Sequence, residues 1–455
     1  MFLLATSQSH VYTPALFTGH TTTLERFYLM STSTRALGFW PVFALVTGSQ
    51  IGSGVFMLPS LLAPYGPYAL AGWFFSGIGA IMLALVFARL CEAFPETGGP
   101  HIYVEKAFGR TASFFVGWTY WIVSWVSTTV VCAACVGYVL PLLKITHPLV
   151  IFALQASLTI IVTALNLRSA QSIGTIESFL TLLKFIPLII IPGVIIPRFS
   201  LQNIVLSPTI AALPTGDIIS QVTLLTLWCF VGLEAATTPA GMIKNPQRTI
   251  PLAIVTGTAA TAALYVFNSL SVMGALPAGQ LAGSITPYVD AVQAIFGGNW
   301  YLAISVISAL VCLSTINAWT LTSSQIALGL AQKDLLPAAF KKQTANGAPI
   351  WALAVSCFGT LPILGLLSSH SLAQQVTTII DYSVTAFLFV YLACCAAFFH
   401  FLYRKKSGFD SSWLIGIGAT GFCCWVIVNT TLNTVLIATL FTLSGLPMYL
   451  YHRRS

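Results

Sequence analysis

Three ionisable side chains stand alone in long apolar stretches: Lys184, Glu234 and Asp381. A charge inside a bilayer is costly, so it faces the protein interior or a water-filled cavity and marks a path for ions, protons or solutes. Lys184 falls near the middle of its apolar run, and Glu234 ends the segment Trp228-Cys229-Phe230-Val231-Gly232-Leu233-Glu234. Both groups can exchange a proton. A second chemistry is encoded in Gly48-Ser49-Gln50-Ile51-Gly52-Ser53-Gly54, where three glycines and two serines interrupt an apolar run and should unwind a helix. In hydrocarbon, unwound backbone is tolerated only where it lines a cavity or a solute site. The helix restarting there offers free N–H groups and a positive dipole end to an anion. Ser53, Gly54 and Val55 are therefore candidates for holding a carboxylate. Packing at a kink would also use small residues, but this run exceeds what close packing needs. Trp228 and Trp319 fall mid-span, away from the usual interfacial belts. Their indole faces suit a cation or an aliphatic chain.

The elements that position these residues follow from composition. Hydrophobic residues make up 57% of the chain and charged ones 7%, far below the roughly 25% charged residues of soluble domains. At about 20 apolar residues per crossing, the spacing predicts an all-α integral membrane protein with twelve spans. Their limits are 38–62, 68–93, 112–143, 148–167, 174–197, 216–240, 250–275, 299–329, 349–368, 374–400, 412–430 and 431–451. With the N-terminus cytoplasmic, 16 of the 19 Lys and Arg residues fall on the cytoplasmic side; Lys144 and Arg198 lie outside and Lys184 within a span. This is a positive-inside pattern, and it accounts for the net charge of +8. The basic residues are scattered over short loops, not gathered into the stripe that binds nucleic acid.

Breaks in spans 1 and 6 predict two five-helix repeats of opposite topology, 38–197 and 198–400. A polar cytoplasmic tail, 1–37, precedes them, and two further helices with a short cytoplasmic C-terminus, 401–455, follow. No loop is long enough to hold a core of its own, so no enzyme module is expected. The ten cysteines fall in or beside predicted spans, where Cys acts as a small apolar residue. Cys132 and Cys135 form a C-x-x-C without a nearby His or acid, so neither metal nor other cofactor is expected. Residues 1–29 lack a signal-peptide pattern and are expected to carry no function. Met30-Ser31-Thr32-Ser33-Thr34-Arg35 reads as a more natural start.

With these residues placed, the chain resembles the amino acid–polyamine–organocation superfamily, and within it the basic amino acid/polyamine antiporters. The resemblance rests on Gly52-Ser53-Gly54-Val55-Phe56 followed by Leu58-Pro59, and on Gly98-Gly99-Pro100 with Tyr103 and Phe108-Gly109. It continues through Trp228–Glu234, Lys244-Asn245-Pro246 with Pro251, and Ala318-Trp319-Thr320-Leu321. It covers about residues 38–400, and the motifs in order are specific where one alone is weak.

The resemblance implies that the Ser53-Gly54-Val55 amides bind the substrate's α-carboxylate and that Trp228 and Trp319 close over it. It further implies that Glu234 links proton binding to substrate release, that Ser383 contacts substrate and that Tyr391 gates. Tyr120, with Trp121 and Trp125, follows the family pattern. Eight residues on, Thr128 stands where the family has an amide contacting substrate, and Gln50 replaces an apolar residue beside the break. Both changes bear on selection of the distal group. In proton-coupled, sodium-independent members a Lys like Lys184 occupies the ion's place. Asp381 departs from the family's small polar residue: it pairs with a cationic substrate or a site group, or sits hydrated at the span's outer end.

The expected activity is exchange of a basic amino acid such as arginine for its decarboxylated amine, such as agmatine, across a bacterial inner membrane. Acid resistance and nutrient uptake are the physiological roles this implies. The alternative is a proton-coupled symporter of neutral or broad range working through Lys184. A sensor would carry a signalling domain, and an enzyme an acid, base and nucleophile constellation. Expected partners are small amino acids and amines and the lipid bilayer, with a homodimer left open.

Overall fold

The computed structural model describes residues 37–168, 170–284, 286–367, 372–405 and 410–454. The tail 1–36, and with it the whole of residues 1–29 expected to lack function, lies outside the described residues.

Among the described residues the chain is helical, with three isolated β-bridges and no strand. Helices α1 (Phe39–Gln50) and α2 (Ser53–Leu62) form the first, interrupted span. They are followed by α3 (Tyr68–Ala93), the short α4 (Pro100–Phe108), α5 (Arg110–Leu143), α6 (Pro148–Leu165) and α7 (Ala170–Ile195). The sixth span starts as α8 (Thr215–Leu227) and continues as separate 3-10 turns at Trp228–Phe230, Ala235–Thr237 and Ala240–Met242. Then come α9 (Pro246–Ala275), α10 (Pro287–Phe296), α11 (Trp300–Gln332), α12 (Ile350–Leu367), α13 (Leu372–Arg404), α14 (Ser411–Val428), α15 (Leu432–Leu443) and α16 (Leu446–Arg454).

Local sequence explains the boundaries. Pro100, Pro148 and Pro246 each stand in the first turn of their helix, where the missing N–H costs nothing and φ is already helical. Gly109, at φ +83°, divides α4 from α5, a backbone state that L side chains rarely adopt.

Among the described residues, eleven helices are long and apolar enough to cross a bilayer, and they coincide with eleven of the twelve expected spans. The ninth expected span is the apolar helix Ile350–Leu366, just below that length. Burial sorts the helices into centre and rim. The first span is 89% buried over its apolar window, α5 and the sixth span 83% each, whereas α6 and the last helix pair are 17% buried. A helix that is apolar all round yet unburied has its surface matched to lipid, not to water. The interrupted spans are thus the centre of the molecule, with α5 and α11 packed along each other beside them. Nine of the ten cysteines are buried, and Cys132 and Cys135 donate to different carbonyls, Gln155 O and Ala309 O, at 3.3 Å each.

Both ends of the central pair are tied by backbone bonds. At the end rich in Lys and Arg, Leu37 N–H donates to Met242 O (3.1 Å) and Lys244 N–H to Leu37 O (2.8 Å). At the opposite end, Ser207 N–H donates to Pro64 O (2.8 Å).

Candidate substrate site between two broken helices

Helix α1 ends where Ile51 turns extended, and α2 begins after Gly52 with no side-chain cap. The first N–H groups of a helix have no partner inside it. Among the described residues, the N–H groups of Ser53, Gly54 and Val55 find no acceptor elsewhere. The same interruption frees carbonyls at the end of α1, and Lys184 answers them. Its Nζ donates to Gly48 O (2.8 Å), Ile51 O (3.0 Å) and Thr315 Oγ1 (3.0 Å), and Thr315 in turn donates to Ile51 O at 2.6 Å. A cation at a helix C-terminus also meets the negative end of the dipole. Lys184 is buried, as its central place in the sequence implied, and it does not snorkel to an interface.

The second interruption lies against the first. A Cβ on Gly54 would stand 2.4 Å from Cys229 Sγ and 3.2 Å from Trp228 Cδ1. Only a glycine lets the two backbones come this close. Gly232 adopts φ +103°, and a Cβ there would meet Ser49 Cβ at 2.9 Å and the Trp319 ring at 3.1 Å. Trp319 Nε1–H donates to Ser49 O (3.0 Å). Tyr265 joins the two breaks, its hydroxyl within 2.7 Å of Gln50 O and 3.1 Å of Cys229 O. Gln50 donates through Nε2 to Thr258 Oγ1 (3.1 Å), leaving Oε1 buried without a partner.

These contacts enclose a cavity of about 20 Å³ lined by Gln50, Ser53, Gly54, Val131, Trp228 and Trp319, among others. That is room for about one water, so these walls must part before an amino acid enters. Ser53 Oγ is buried there without a partner. Just beyond, Glu234 is fully buried and its Oε2 accepts from the Tyr391 hydroxyl at 2.7 Å, while Oε1 has no partner. Tyr120 faces the same carboxylate without a hydrogen bond of regular geometry.

The structure therefore gathers Gln50, Ser53, Gly54, Trp228 and Trp319 around one space and joins Glu234 to Tyr391. Val55 is buried one residue further along α2 and does not line it. Thr128 lies behind Trp319 in a separate small cavity, and its hydroxyl donates to Ser124 O (2.9 Å). Ser383 is buried with an unpartnered hydroxyl and lines neither space. Sequence reasoning missed Ser49, Val131, Tyr265 and Thr315. Thr315 was within reach, being four residues before Trp319 and so on the same face of its helix. A Tyr on an apolar helix gives no such signal.

Outside the membrane segments, loop and helix termini form a charged cluster. Glu96 pairs with Lys106 (2.9 Å) and Lys333 (3.1 Å), and Lys333 also with Glu105 (3.4 Å). Burial pushes the Glu96 carboxyl up, but the hydrogen bonds from Lys106 and Lys333 prevail and hold it below its ordinary value. Lys333 is raised, its acidic neighbours outweighing burial. Beneath it, His101 is wholly buried, and burial together with the Lys333 charge pushes its imidazole down to about 3. It is neutral at physiological pH.

Comparison with known proteins agrees with this architecture. Residues 37–451 match the model of the amino acid permease family. A Bacillus subtilis protein bearing the provisional name arginine/ornithine antiporter is 28% identical over 91% of this chain and 97% of its own length. The putrescine transporter PotE of Haemophilus influenzae is 29% identical over 81% of this chain and 85% of its own. The cadaverine/lysine antiporter of Escherichia coli is 29% identical over 70% and 71%. This chain is a multi-pass membrane protein of the amino acid permease family, a family of transporters and not of enzymes.

Proposed function

We propose that this protein is an antiporter of the bacterial inner membrane, with both termini cytoplasmic, that exchanges a basic amino acid for a decarboxylated amine by alternating access. Arginine with agmatine, ornithine with putrescine and lysine with cadaverine are the pairs of matching chemistry. The names of the relatives, which cover arginine, ornithine, lysine, putrescine and cadaverine, support this range over any one pair. One observation carries the reading: two unwound segments face each other across a closed midplane space with indoles on its walls and unpaired N–H groups at its edge. The α-carboxylate is received by the Ser53-Gly54-Val55 amides, and the cationic side chain lies between Trp228 and Trp319. Glu234 takes and returns a proton as Tyr391 opens and closes over it. Residues 38–197 and 198–400 act as the two inverted halves that rock about this site.

The test is uptake of labelled arginine, ornithine, lysine and putrescine into proteoliposomes, either loaded with a trans-substrate or empty, with and without a proton gradient. Exchange requires uptake only into loaded vesicles. Gradient-driven uptake into empty vesicles would favour the symport reading, for which the Lys184 contacts to the carbonyls freed at the end of α1 supply the structural motive.

A further inference from the structure

A second cavity among the described residues lies away from the central site, at the end of the molecule opposite the basic loops. Its volume is about 330 Å³, and its walls come from four separate parts of the chain. Tyr65 follows α2, Gln221 stands on α8, Thr377 and Asp381 on α13, and Asn429 and Thr434 flank the turn between α14 and α15. The lining is hydroxyls, amides and two leucines around a single formal charge. Asp381 is half-buried, and its backbone carbonyl accepts from Thr385 Oγ1 at 2.8 Å. Among the described residues no Lys, Arg or His lines the cavity or pairs with its carboxylate. Tyr65 lies close enough to feel that charge and donates its hydroxyl to Gln221 Oε1 at 3.0 Å, so the Gln221 amide N–H groups are not used in that bond. A carboxylate in a membrane span without a protein cation is paired by something else.

We propose that this cavity is a second substrate site, an entry subsite that takes one protonated amine or guanidinium group on Asp381 before the substrate passes inward. The proposal rests on the amine-exchange reading above. Its placement fits that passage. Leu224 and Leu225 line the cavity and Trp228 lies three residues beyond Leu225 on the same span, about 5 Å along a helix. Asp381 and Tyr391 share α13 and are ten residues apart, about 15 Å of rise. The subsite also gives the last two helices a role, because Asn429 to Thr434 form its outer wall. The carboxylate, hydroxyl and amide set hydrogen-bonds an ammonium from several sides, and the Tyr65 face adds cation–π attraction.

The test compares wild-type protein with Asp381→Asn, Asp381→Glu and Thr377→Arg, the last placing a fixed cation beside the carboxylate. In putrescine-loaded proteoliposomes, Asp381→Asn should raise the half-saturating putrescine concentration about tenfold while the maximal rate stays within about twofold, the scale of one lost charge-assisted partner. Asp381→Glu should stay near wild type, and Thr377→Arg should behave like Asp381→Asn. Unchanged half-saturation in both Asp381→Asn and Thr377→Arg, with wild-type transport intact, overturns the subsite. If the wild type carries no amine under any loading, the exchange reading fails instead. Equilibrium binding of labelled putrescine in detergent then decides the subsite alone: binding lost in Asp381→Asn supports it, and binding absent from the wild type or unchanged in the variant overturns it.

Discussion

The two broken spans solve the same problem in opposite ways. In the first, the helix is lost for two residues, Ile51 and Gly52, and resumes as α2. The carbonyls freed there meet a fixed cation, since Lys184 and Thr315 bind Gly48 and Ile51 from neighbouring helices. In the second, α8 stops at Leu227 and the chain never returns to a regular α-helix before Met242. Its ionisable group is an anion, Glu234, with one oxygen bonded to Tyr391 and the other unpartnered. One break is pinned from three sides. The other is held by the Tyr265 and Tyr391 hydroxyls, by a long Gln50 Nε2 contact to Phe230 O and by Gly98 N–H on Thr238 O, and it turns at a positive-φ glycine, Gly232. Local stability in proteins is uneven, and parts that move come from its low end. The contrast predicts a fixed jaw at the first break and a moving one at the second.

The comparison breaks most severely at Lys184. Lys184→Met leaves Gly48 O and Ile51 O to share the single Thr315 hydroxyl proton, a loss of up to about 3 kcal/mol, the upper range for hydrogen bonds to a charge. The expected outcome is a large fall in the melting temperature of the detergent-solubilised protein, and a wild-type melting temperature would refute the pinned jaw. Next is the point where the jaws touch. Gly54→Ala puts a Cβ 2.4 Å from Cys229 Sγ, and overpacking of this kind costs about 1–3 kcal/mol. Cys229→Gly in the same chain should recover much of the lost exchange rate. No recovery would place the damage elsewhere.

A third variant probes the support under the moving jaw. Gly98 N–H donates to Thr238 O at 2.9 Å, and Gly98 in turn packs on His101. The folded His101 pKa of about 3 lies below its ordinary 6.5. The unfolded chain therefore binds the proton first, and stability falls as pH drops from 6.5 toward 3. The loss is about 2 kcal/mol by pH 5. His101→Gln should flatten melting temperature against pH over that interval; an unchanged slope would show that other groups set it.

The smallest expected effect on stability is at Glu234. Glu234→Gln keeps an oxygen for the Tyr391 hydroxyl and should change stability by less than about 1 kcal/mol. Exchange should persist while its dependence on pH disappears. A pH profile identical to wild type would remove Glu234 from the proton-linked step.

What was legible in the sequence was what violates its surroundings. The Gly-Ser run stands out because apolar helices have no use for it, and Lys184 and Glu234 stand out because charge is rare in hydrocarbon. The start of α4 is legible too, marked by Gly98-Gly99-Pro100. Features built from ordinary residues were silent. Tyr265 bridges the two breaks, yet nothing distinguishes it from a lipid-facing Tyr. Thr128 and Ser383 lie on the expected helices, but helix rotation, which a span prediction does not contain, turns them from the space between the two breaks. The Asp381 cavity needs four distant segments to converge, so the sequence showed its acid and not its walls.

The backbone pairing of Leu37 with Met242 and Lys244 makes the start of the first span a remote handle on the far end of the moving one. A Cβ at Gly38 meets nothing within 4 Å, and neither does one at Gly216, in the first turn of α8. Cysteines at these two positions, with the exposed Cys424 replaced by Ser, would carry spectroscopic labels at both ends of the sixth span without touching its interior. The distance between them would then report each opening and closing as substrate is added, turning a pair of backbone hydrogen bonds into a ruler.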